Sequence, residues 1–437
     1  MKTCVVIGIS DSREQWFPPE VMDAIRRGSV FSGGRRHHEI VASLLPAGAV
    51  WIDITVPLGK VFEQYARYDH VVIFASGDPL FFGFANTIQR ECPDVEMRVF
   101  PSPNSLQMLA HRMCLPYHDM RMVSLTGRDW KKCDEALIVG EPLIGCLTDR
   151  VKTPHTIHQR MVEYGYTNYV MTVGENLGNE EKERVSRYDA QAVYDHPNCV
   201  ILQRTAERVT PFGIPDSDFA LLDGREKMIT KMPIRLLTLQ ALDLRHKHVF
   251  WDIGFCTGSV SIEARLQFPH LQVESFEIRP ECEAIIRENA RRHGAPGIGV
   301  HIGDFCSVCC DDIATKGRRP DGESAERRPD CEGAERRPDG ESAERRPDGE
   351  SAERRPDAVF IGGHGGRLKE IMAKVVRYLR PGGCIVMNSV KAPKVLTDSH
   401  QLWDEACQEL GLQQEPPTRI VLNDNHPIEI LKASPVF

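Results

Sequence analysis

An apolar strand, a glycine turn and a helix start follow one another in VFWDIGFCTGSVSIEA, residues 249–264. The strand ends at Asp252, the turn contains Gly254 and Gly258, and the helix opens near Ser259. Glycines let the backbone of a tight turn pass close to a ligand, and the unpaired N–H groups of a helix start point toward that ligand. The segment therefore predicts a ligand site at a strand end.

Two further apolar runs end in carboxylates. The run VESFEI places Glu277 near its end, where a carboxylate can accept hydrogen bonds from two ribose hydroxyls. The run HIGDF places Asp304 beside the pocket expected for an adenine ring. The glycines alone are weak evidence, but the ordered set of Asp252, Glu277 and Asp304 is much stronger. The set predicts a site for a methyl donor that contains a nucleoside.

Two other interpretations of this segment compete with the methyl-donor site. A dinucleotide site, as in a nicotinamide-dependent reductase, requires G-x-G-x-x-G. That pattern is absent, since Cys256 stands between Gly254 and Gly258 and residue 259 is Ser. The turn can also be purely structural. Both interpretations are less favoured than the methyl-donor site.

A second glycine-rich strand end lies in the first half, in VVIFASGDPLFFG, residues 71–83. Gly77 and Gly83 permit sharp turns beside a cleft. Asp78 is equally suited to cap the helix expected after Pro79 and to bind a ligand directly. A further loop follows the first strand and starts at Gly8.

Basic side chains cluster before this block, at Arg35, Arg36, His37 and His38. Such a cluster can bind the carboxylates of an acidic small molecule, and it can equally be a solvated basic loop. Arg128, in SLTGRDW, is a stronger candidate for binding such a carboxylate, because it follows a strand end that is expected to face the cleft.

Apolar runs alternate with helical patterns on both sides of residues 206–224, where TPFGIPDSDF interrupts the alternation. Such alternation predicts parallel sheets covered on both faces. We therefore expect an α/β domain over residues 1–205, a linker over 206–224 and a second α/β domain over 225–437. The predicted strands are Cys4–Ile9, Ala49–Ile54, His70–Ala75, Glu96–Phe100, Met120–Leu125, Ala136–Gly140, Tyr169–Val173, Cys199–Gln203, His248–Ile253, Gln272–Ile278, Gly299–Ile302, Ala358–Ile361 and Cys384–Asn388.

Composition narrows the class of protein. A net charge of -8 and a pI of about 6.1 argue against a nucleic-acid-binding chain. The N-terminal run reads as a buried strand rather than a secretory signal, and no apolar run is long enough to span a membrane. Fourteen cysteines without an export signal indicate reduced thiols in a cytoplasmic protein. A metal site is not favoured, because its candidate cysteines flank or lie inside a low-complexity insert; these are Cys306, Cys309, Cys310 and Cys331.

That insert occupies residues 318–357, where RRPD recurs five times at a nine-residue period. No position of the repeat is large and apolar, so stacked copies could not bury a core. The repeat predicts a mobile, disordered loop, although a docking segment for a partner is an alternative. Lengthening a surface loop costs only about 0.6 kcal/mol per doubling of its length.

The second half resembles the cobalamin-pathway methyltransferases that methylate carbon 15 of a precorrin ring and decarboxylate its carbon 12 acetate. The resemblance rests on MITKMPIRLLTLQAL, WDIGFCTGSVSIE, PDAVFIGGHGG and LRPGGCIVMNSV. It departs at Pro233, where the family tends to have Glu, and at Cys256, which replaces a glycine. A left-handed Cys256 would cost about 1–2 kcal/mol. The matching residues are Thr230, Lys231, Arg235, Asp252, Gly254, Thr257, Gly258, Ser259, Gly362, Gly363, Gly365 and Gly366.

The first half resembles the tetrapyrrole methylase family, in particular the member that methylates carbon 5 of the same macrocycle. The resemblance rests on FSGGRRHHEI, SGDPLFFG, PSPNSLQMLA, SLTGRDW, CLTD and VGENLGNEEKERV in that order. One departure is the loop Gly8-Ile9-Ser10-Asp11-Ser12, which stands where the family has a G-x-G-P-G type of loop. The bulkier loop narrows the expected donor site and leaves open a weakened or inactive first domain.

Together the resemblances imply a tetrapyrrole-methylase-type α/β domain followed by a Rossmann-like class I methyltransferase domain. They imply S-adenosylmethionine as the methyl donor, precorrin-6Y or its cobalt form as the substrate, no metal cofactor and a homo-oligomer. The cobalt form is slightly favoured, because free cysteines are safest without oxygen. One half acting only as a binding or scaffold module is the alternative.

His364 is a candidate proton carrier, although an ordinary loop histidine is the more usual interpretation. The expected donor-binding residues are Gly8, Gly77, Asp78, Pro79, Asp252, Gly254, Thr257, Gly258, Glu277, Asp304, Gly362 and Gly363. The expected substrate-binding residues are Arg35, Arg36, Arg128, Lys231 and Arg235.

Overall fold

The computed structural model describes residues 1–225, 228–311, 313, 355–390, 399–422 and 427–436. Strands and helices alternate along these residues and build three sheets. The chain is therefore α/β, as the sequence predicts. Among the helices of the described residues, none is long and apolar enough to cross a membrane.

The first sheet has five parallel strands in the order β3-β2-β4-β1-β5. Its central strand β4 is buried on both faces from Val71 to Ala75, as expected for a parallel sheet covered by helices. The strands are β1 (Thr3–Ile9), β2 (Val30–Gly33), β3 (Val50–Asp53), β4 (His70–Ser76) and β5 (Glu96–Phe100). The helices of this part are α1 (Pro19–Arg27), α2 (Arg35–Val41), α3 (Gly59–Tyr65), α4 (Phe84–Glu91) and α5 (Ser105–Arg112), with a 3₁₀ turn at Ala42–Leu44.

The second sheet has five strands in the order β6-β7-β10-β8-β9. Only β6 and β7 are parallel, and every other pair is antiparallel. The prediction of parallel strands is therefore wrong for most of this sheet. The strands are β6 (Arg121–Ser124), β7 (Leu143–Leu147), β8 (Tyr169–Glu175), β9 (Arg184–Arg187) and β10 (Asn198–Arg204), and the helices are α6 (Lys131–Val139) and α7 (Pro154–Glu163).

The third sheet runs in the order β13-β12-β11-β14-β15-β18-β16, and β17 pairs with β18. Strands β11 to β15 are parallel, whereas β16, β17 and β18 add antiparallel pairs. The strands are β11 (Val249–Ile253), β12 (Gln272–Glu277), β13 (Ile298–Ile302), β14 (Ala358–Ile361), β15 (Cys384–Val390), β16 (Leu412–Gln414), β17 (Thr418–Ile420) and β18 (Ile428–Pro435). The helices are α8 (Met232–Leu242), α9 (Ser259–Gln267), α10 (Glu281–His293), α11 (Leu368–Tyr378) and α12 (Ser399–Leu410), and 3₁₀ turns lie at Asp216–Asp218, Leu222–Gly224 and Leu244–His246.

One predicted strand is wrong. Residues Ala136–Gly140 form the end of helix α6, and Gly140 closes it in a left-handed conformation with φ 74°. Ala136, Leu137 and Ile138 are all buried, so the helix presents a continuous apolar run that periodicity cannot distinguish from a strand. The true strand is β7, which begins three residues after Gly140.

Residues 206–224 pack closely against the third sheet's helices. The carboxylate of Glu263 accepts hydrogen bonds from the backbone N–H groups of Gly213 and Ile214, at 2.9 and 3.1 Å. The side chain of Asn289 accepts one from the backbone of Ala220 at 2.7 Å. Ile214 is completely buried. The segment expected to be a linker is thus fixed on α9 and α10.

The repeat segment 318–357 lies outside the described residues except for Arg355, Pro356 and Asp357. The Arg355 guanidinium donates to the backbone carbonyls of Arg377 and Tyr378, at 2.7 and 3.1 Å. The end of the repeat is therefore held on α11 before β14 begins. The expected mobile loop falls on residues 318–354, which lie outside the described residues, and it stays a prediction.

Candidate active sites

The loop after β11 is built on left-handed residues. Gly254, Cys256 and Gly258 have φ of 78°, 49° and 74°. A Cβ on Gly254 would lie 2.6 Å from the backbone nitrogen of Gly363, and one on Gly258 would lie 2.3 Å from the side chain of Ile286. Only glycine fits these two positions. Cys256 carries the backbone strain that a residue with a Cβ meets in this conformation.

The loop after β14 touches the loop after β11 backbone to backbone. Gly362 donates from its N–H to the carbonyl of Ile253 at 2.8 Å. A Cβ on Gly362 would lie 3.0 Å from the carbonyl oxygen of Gly254. The sequence-predicted glycines of the two loops therefore come together at one edge of the third sheet, where the close approach of the backbones leaves no room for side chains.

Glu277 ends β12 beside this loop. Its carboxylate accepts five hydrogen bonds, which come from the backbone N–H groups of Cys256, Ile278 and Arg279 and from two nitrogens of the Arg279 guanidinium. Burial raises the pKa of Glu277, but the bonds from Arg279 and the backbone lower it by more, so the pKa lies below the ordinary value. The carboxylate is thus ionised and fixed.

Asp304 follows β13 and faces the loop that follows β14. Its carboxylate accepts from the backbone N–H of Cys306 at 3.0 Å and from the Arg367 guanidinium at 2.6 Å. The hydrogen bond from Arg367 is the main cause that lowers the pKa of Asp304. The third predicted carboxylate is therefore ionised and tied to the residue after Gly365 and Gly366.

Asp252 differs from the other two carboxylates because it is buried without an arginine partner among the described residues. It is 1% exposed, and its Oδ2 accepts from the hydroxyl of Ser261 at 2.5 Å. Its Oδ1 has no hydrogen-bond partner among the described residues. Burial raises the pKa of Asp252 to about 7. This placement ties the loop to α9 and gives Asp252 a role in shaping the site.

Thr257 and His364 complete the predicted set. Thr257 is buried, and its carbonyl accepts from the side chain of Asn289 at 2.9 Å. His364 is half-buried, and its Nδ1 accepts from the backbone N–H of Gly366 at 3.2 Å. Burial lowers the pKa of His364. The neutral ring thus uses Nδ1 for the loop and carries its proton on Nε2.

Ile278 is a candidate that the sequence analysis missed. It is 62% exposed, although it is a large apolar residue next to the buried Glu277. An exposed isoleucine beside a carboxylate suited to ribose offers an apolar surface for an adenine ring. The predicted strand Gln272–Ile278 includes Ile278 and so implies a buried side chain, whereas β12 ends one residue earlier, at Glu277.

Lys231 and Arg235 have different environments. Lys231 is partly exposed and its Nζ lies 3.7 Å from the carboxylate of Asp216. Arg235 is completely buried; it bonds Glu263 at 3.1 Å, the carbonyl of Thr230 at 2.8 Å and the carbonyl of Ile214. Because its guanidinium is used inside the core, Arg235 fixes residues 206–224 on α8 and α9. This placement gives no support to the prediction that Arg235 binds substrate.

The first half contains a cavity of about 520 Å³ between the first and second sheets. Gly77 lines its wall, and Gly8, which is absent from the lining, packs directly against Gly77. A Cβ on Gly8 would lie 2.0 Å from the carbonyl oxygen of Gly77, and Gly77 itself has φ 60°. The opposite wall comes from the second sheet, for example from Thr148, Gly174 and Asn198.

Asp78 caps a turn and not a helix. Its Oδ1 accepts from the backbone N–H of Leu80 at 2.9 Å, while α4 begins later, after Gly83. The prediction of a helix cap at this position is therefore wrong. Asp78 and Pro79 are absent from the cavity lining, whereas Gly77 and Gly83 contribute to it. Pro79 accepts from the backbone N–H of Ala85 at 3.2 Å and so anchors the start of α4.

The basic cluster divides between cavity and solvent. Arg36 lines the cavity and contacts Ser76 at 3.1 Å and Asp11 at 3.3 Å. His37 bonds the same Ser76 hydroxyl at 2.9 Å, and its pKa falls to about 4, first through burial and then through Arg36. The Arg35 side chain is 92% exposed. His38, the fourth member, stacks on Trp51 with centroids 4.2 Å apart.

Arg128 lies near the cavity through an aromatic contact. Its guanidinium carbon is 4.9 Å from the ring centroid of Phe82, and Phe82 lines the cavity. The Arg128 Nη1 also donates to the hydroxyl of Ser124 at 2.5 Å. The sequence prediction that Arg128 follows a strand end facing the cleft agrees with this position.

A second cleft of about 610 Å³ adjoins the cavity and shares Asp11, Arg36 and Pro197 with it. Its lining is rich in charged and polar groups, in contrast to the aromatic residues of the cavity. Arg13 and Lys182 add positive charge to it. Sequence analysis did not single out either residue, because they lie far apart along the chain.

Comparisons with known proteins agree with both halves. The family model described as a precorrin methyltransferase domain matches residues 223–312. A precorrin-6Y C(5,15)-methyltransferase [decarboxylating] of Sinorhizobium sp is 30% identical over 406 residues, which cover 90% of this chain and 87% of that protein. Two shorter relatives come from Salmonella typhimurium.

The first of these is a cobalt-precorrin-7 C(5)-methyltransferase, 26% identical over 45% of this chain and 97% of its own length. The second is a cobalt-precorrin-6B C(15)-methyltransferase (decarboxylating), 30% identical over 40% of this chain and 68% of its own length. Because the Sinorhizobium relative is matched over nearly its full length, the chain belongs to the precorrin-6Y C5,15-methyltransferase (decarboxylating) family.

Proposed function

We propose that this chain methylates carbons 5 and 15 of precorrin-6Y, or of its cobalt form, and removes the carboxyl group of the carbon 12 acetate in cobalamin biosynthesis. The observation that carries the proposal is the presence of two glycine-built sites in one chain. Gly8 meets Gly77 in one, and Gly254 meets Gly363 in the other. Family membership supplies the chemistry that two such sites would perform.

The work is divided along the chain. Residues 1–205 act on carbon 5, and residues 225–437 act on carbon 15 and on the acetate, while residues 206–224 connect the two. The match of the precorrin methyltransferase domain to residues 223–312 supports this division. We also propose that the chain forms a homo-oligomer and is cytoplasmic. The cytoplasmic location is proposed because the cysteines are expected to be reduced.

The residues of the second site suit S-adenosylmethionine. The contact of Gly254 with Gly363 forms a cradle that a Cβ would fill. Glu277 would hold the ribose hydroxyls, Ile278 would cover the adenine ring and Asp304 would border it. When bound, the donor supplies a methyl group on a positively charged sulfur. Since Glu277 already accepts two bonds from Arg279, that guanidinium must move to admit the ribose.

The chain's contribution to methyl transfer is orientation and exclusion of water, because an electron-rich ring carbon needs no dedicated base. Decarboxylation breaks the bond between the acetate methylene and its carboxyl carbon. The electron pair enters the macrocycle, which has been protonated at a neighbouring carbon, and carbon dioxide leaves. His364 lies in the loop that follows β14, and we assign it to that proton. Its ring would take up a proton from solvent, deliver it from the imidazolium to the ring carbon and return to the neutral form.

In the first site, the cavity between the sheets would hold the donor and the charged cleft would hold the ring's carboxylate arms. Arg13, Arg36 and Lys182 carry the positive charge that acetate and propionate groups require. Arg128 would act at the cavity's aromatic edge.

The test is to supply the purified protein with S-adenosylmethionine and with the metal-free or the cobalt ring. Mass spectrometry should find a product that has gained two methyl groups and lost one carbon dioxide. Turnover of the cobalt ring alone or the metal-free ring alone decides the form of the substrate. Binding of a nicotinamide dinucleotide without methyl transfer would support the reductase instead. Activity at only one carbon would assign a scaffold role to one half.

A further inference from the structure

The loop after β1 is where the first domain departs from the G-x-G-P-G pattern. Ser10 and Asp11 occupy positions in which the family has small or rigid residues, and both line the cavity. Asp11 also lines the charged cleft. The shape of this loop therefore affects both spaces, and something other than glycine must set it.

The side chain of Gln15 sets the shape of the loop. Its Oε1 accepts from the backbone N–H of Ser10 at 3.2 Å, and its Nε2 donates to the carbonyl of Ser10 at 3.2 Å. The same Nε2 contacts the Ser10 hydroxyl at 3.1 Å and the carbonyl of Ser12. The Gln15 side-chain amide thus supplies the hydrogen-bond partners that the backbone of this loop would otherwise find in a helix or a strand.

The loop held by Gln15 is joined to the second sheet across the cleft. The hydroxyl of Ser12 donates to the carboxylate of Glu180. The Arg13 guanidinium lies 3.8 Å from the carboxylate of Glu181. Gly178 packs beside the same loop, since a Cβ on it would be in van der Waals contact with the backbone nitrogen of Asp11 at 3.5 Å. Residues 176–183, which connect β8 and β9, therefore form the other side of this junction.

We propose that Gln15 is a positioning residue of the first methyl-transfer site. It fixes Ser10 and Asp11 against residues 176–183, and thereby sets the opening between the cleft, which would hold the ring's carboxylate arms, and the cavity, which would hold the donor. Asp11 in turn holds Arg36 at the border between cavity and cleft. The inference rests on the proposed function, and it adds the residue that takes over the role of the family's glycines and proline.

The experiment compares Gln15→Ala and Gln15→Glu in the full chain, with methylation of carbons 5 and 15 measured separately on the same ring. Gln64→Ala, at an exposed position of α3, is the matched control. Gln15→Ala should lower kcat/KM at carbon 5 about tenfold, mainly by raising KM for the ring, because it removes the whole set of amide bonds. Methylation at carbon 15 should be unchanged.

Gln15→Glu adds a second measurement, the pH dependence of methylation at carbon 5, which separates positioning of the loop from a general loss of stability. An ionised carboxylate faces the carbonyls of Ser10 and Ser12, whereas a protonated one regains a donor. The carbon 5 to carbon 15 ratio of Gln15→Glu should therefore rise as the pH falls, and that of Gln15→Ala should not. An unchanged KM at carbon 5 in Gln15→Ala, an equal loss at both carbons, or a pH-independent Gln15→Glu overturns the proposal. Absence of methyl transfer in the wild type would instead overturn the proposed function.

Discussion

Tyr166 donates a hydrogen bond from its hydroxyl to the backbone carbonyl of Gly294 at 2.7 Å, across 128 residues of sequence. Tyr166 follows α7 beside the second sheet, and Gly294 ends α10 beside the third. The guanidinium of Arg208 covers the tyrosine ring at 4.2 Å and contacts the carbonyl of His293. The far end of the helix that follows Glu277 is thus anchored on the first half of the chain.

We expect Tyr166→Phe to lower the free energy of unfolding by about 1 kcal/mol, because the carbonyl of Gly294 loses its buried partner. Chemical denaturation of the full chain measures this change. Tyr68→Phe, at the edge of the first sheet's core, is the matched control. Equal stability of the wild type and Tyr166→Phe would show that the bond does not join the two halves.

Gly8→Ala should abolish methylation of carbon 5 while methylation of carbon 15 continues. The added Cβ would fall 2.0 Å from the carbonyl oxygen of Gly77, and backbone atoms must then move in the first site. Gly59→Ala is the control, since a Cβ on Gly59 meets nothing within 4 Å. Product analysis by mass spectrometry should find one methyl group gained and one carbon dioxide lost. Retained methylation at carbon 5 would contradict the placement of this site.

Glu277→Ala should weaken donor binding at the second site by about 1.5–3 kcal/mol or more, because a carboxylate that holds two hydroxyls is lost. Donor binding at the first site should be unaffected. Glu281→Ala, an exposed carboxylate at the start of α10, is the control. Titration calorimetry of the full chain measures both sites, and two donor affinities unchanged from the wild type in Glu277→Ala would refute the assignment.

The buried Asp252 predicts a pH dependence of stability. Its folded pKa is about 7 against an ordinary value of 3.8, so the folded state binds more protons than the unfolded state between these values. Stability from this group is therefore present below about pH 4 and is lost as the pH rises through 7. Asp252→Asn should flatten this decline. The difference in unfolding free energy between wild type and Asp252→Asn, followed from pH 5 to 8, should change by an amount on the order of a few kcal/mol. A constant difference would mean that Asp252 is ionised throughout.

Strand-end carboxylates were predictable because their position depends only on local pattern. Glu277 and Asp304 stand where parallel strands end, and both lie beside the glycine loops as the sequence predicts. Asp252 is different, since only the packed structure shows that Ser261 and the surrounding core remove it from solvent. The same holds for Arg235, whose partners come from residues 214 to 263.

Contacts between distant segments escaped the sequence analysis. Nothing in the local pattern around Gly8 indicates that its neighbour is Gly77, and nothing around Gln15 indicates that its loop meets Glu180. Helix α6 was mistaken for a strand because burial on several faces erased its periodicity. Local chemistry thus gave the second site in outline, whereas tertiary packing determined the walls of the first.

If one chain holds two independent donor sites, the stoichiometry of S-adenosylmethionine binding must be two. Equilibrium dialysis over a range of donor concentrations should find that binding with wild-type affinity saturates at two donors per wild-type chain, at one in Gly8→Ala, at one in Glu277→Ala and at none in the double variant. Saturation at a single donor per wild-type chain, or loss of both donors in either single variant, would contradict two independent sites.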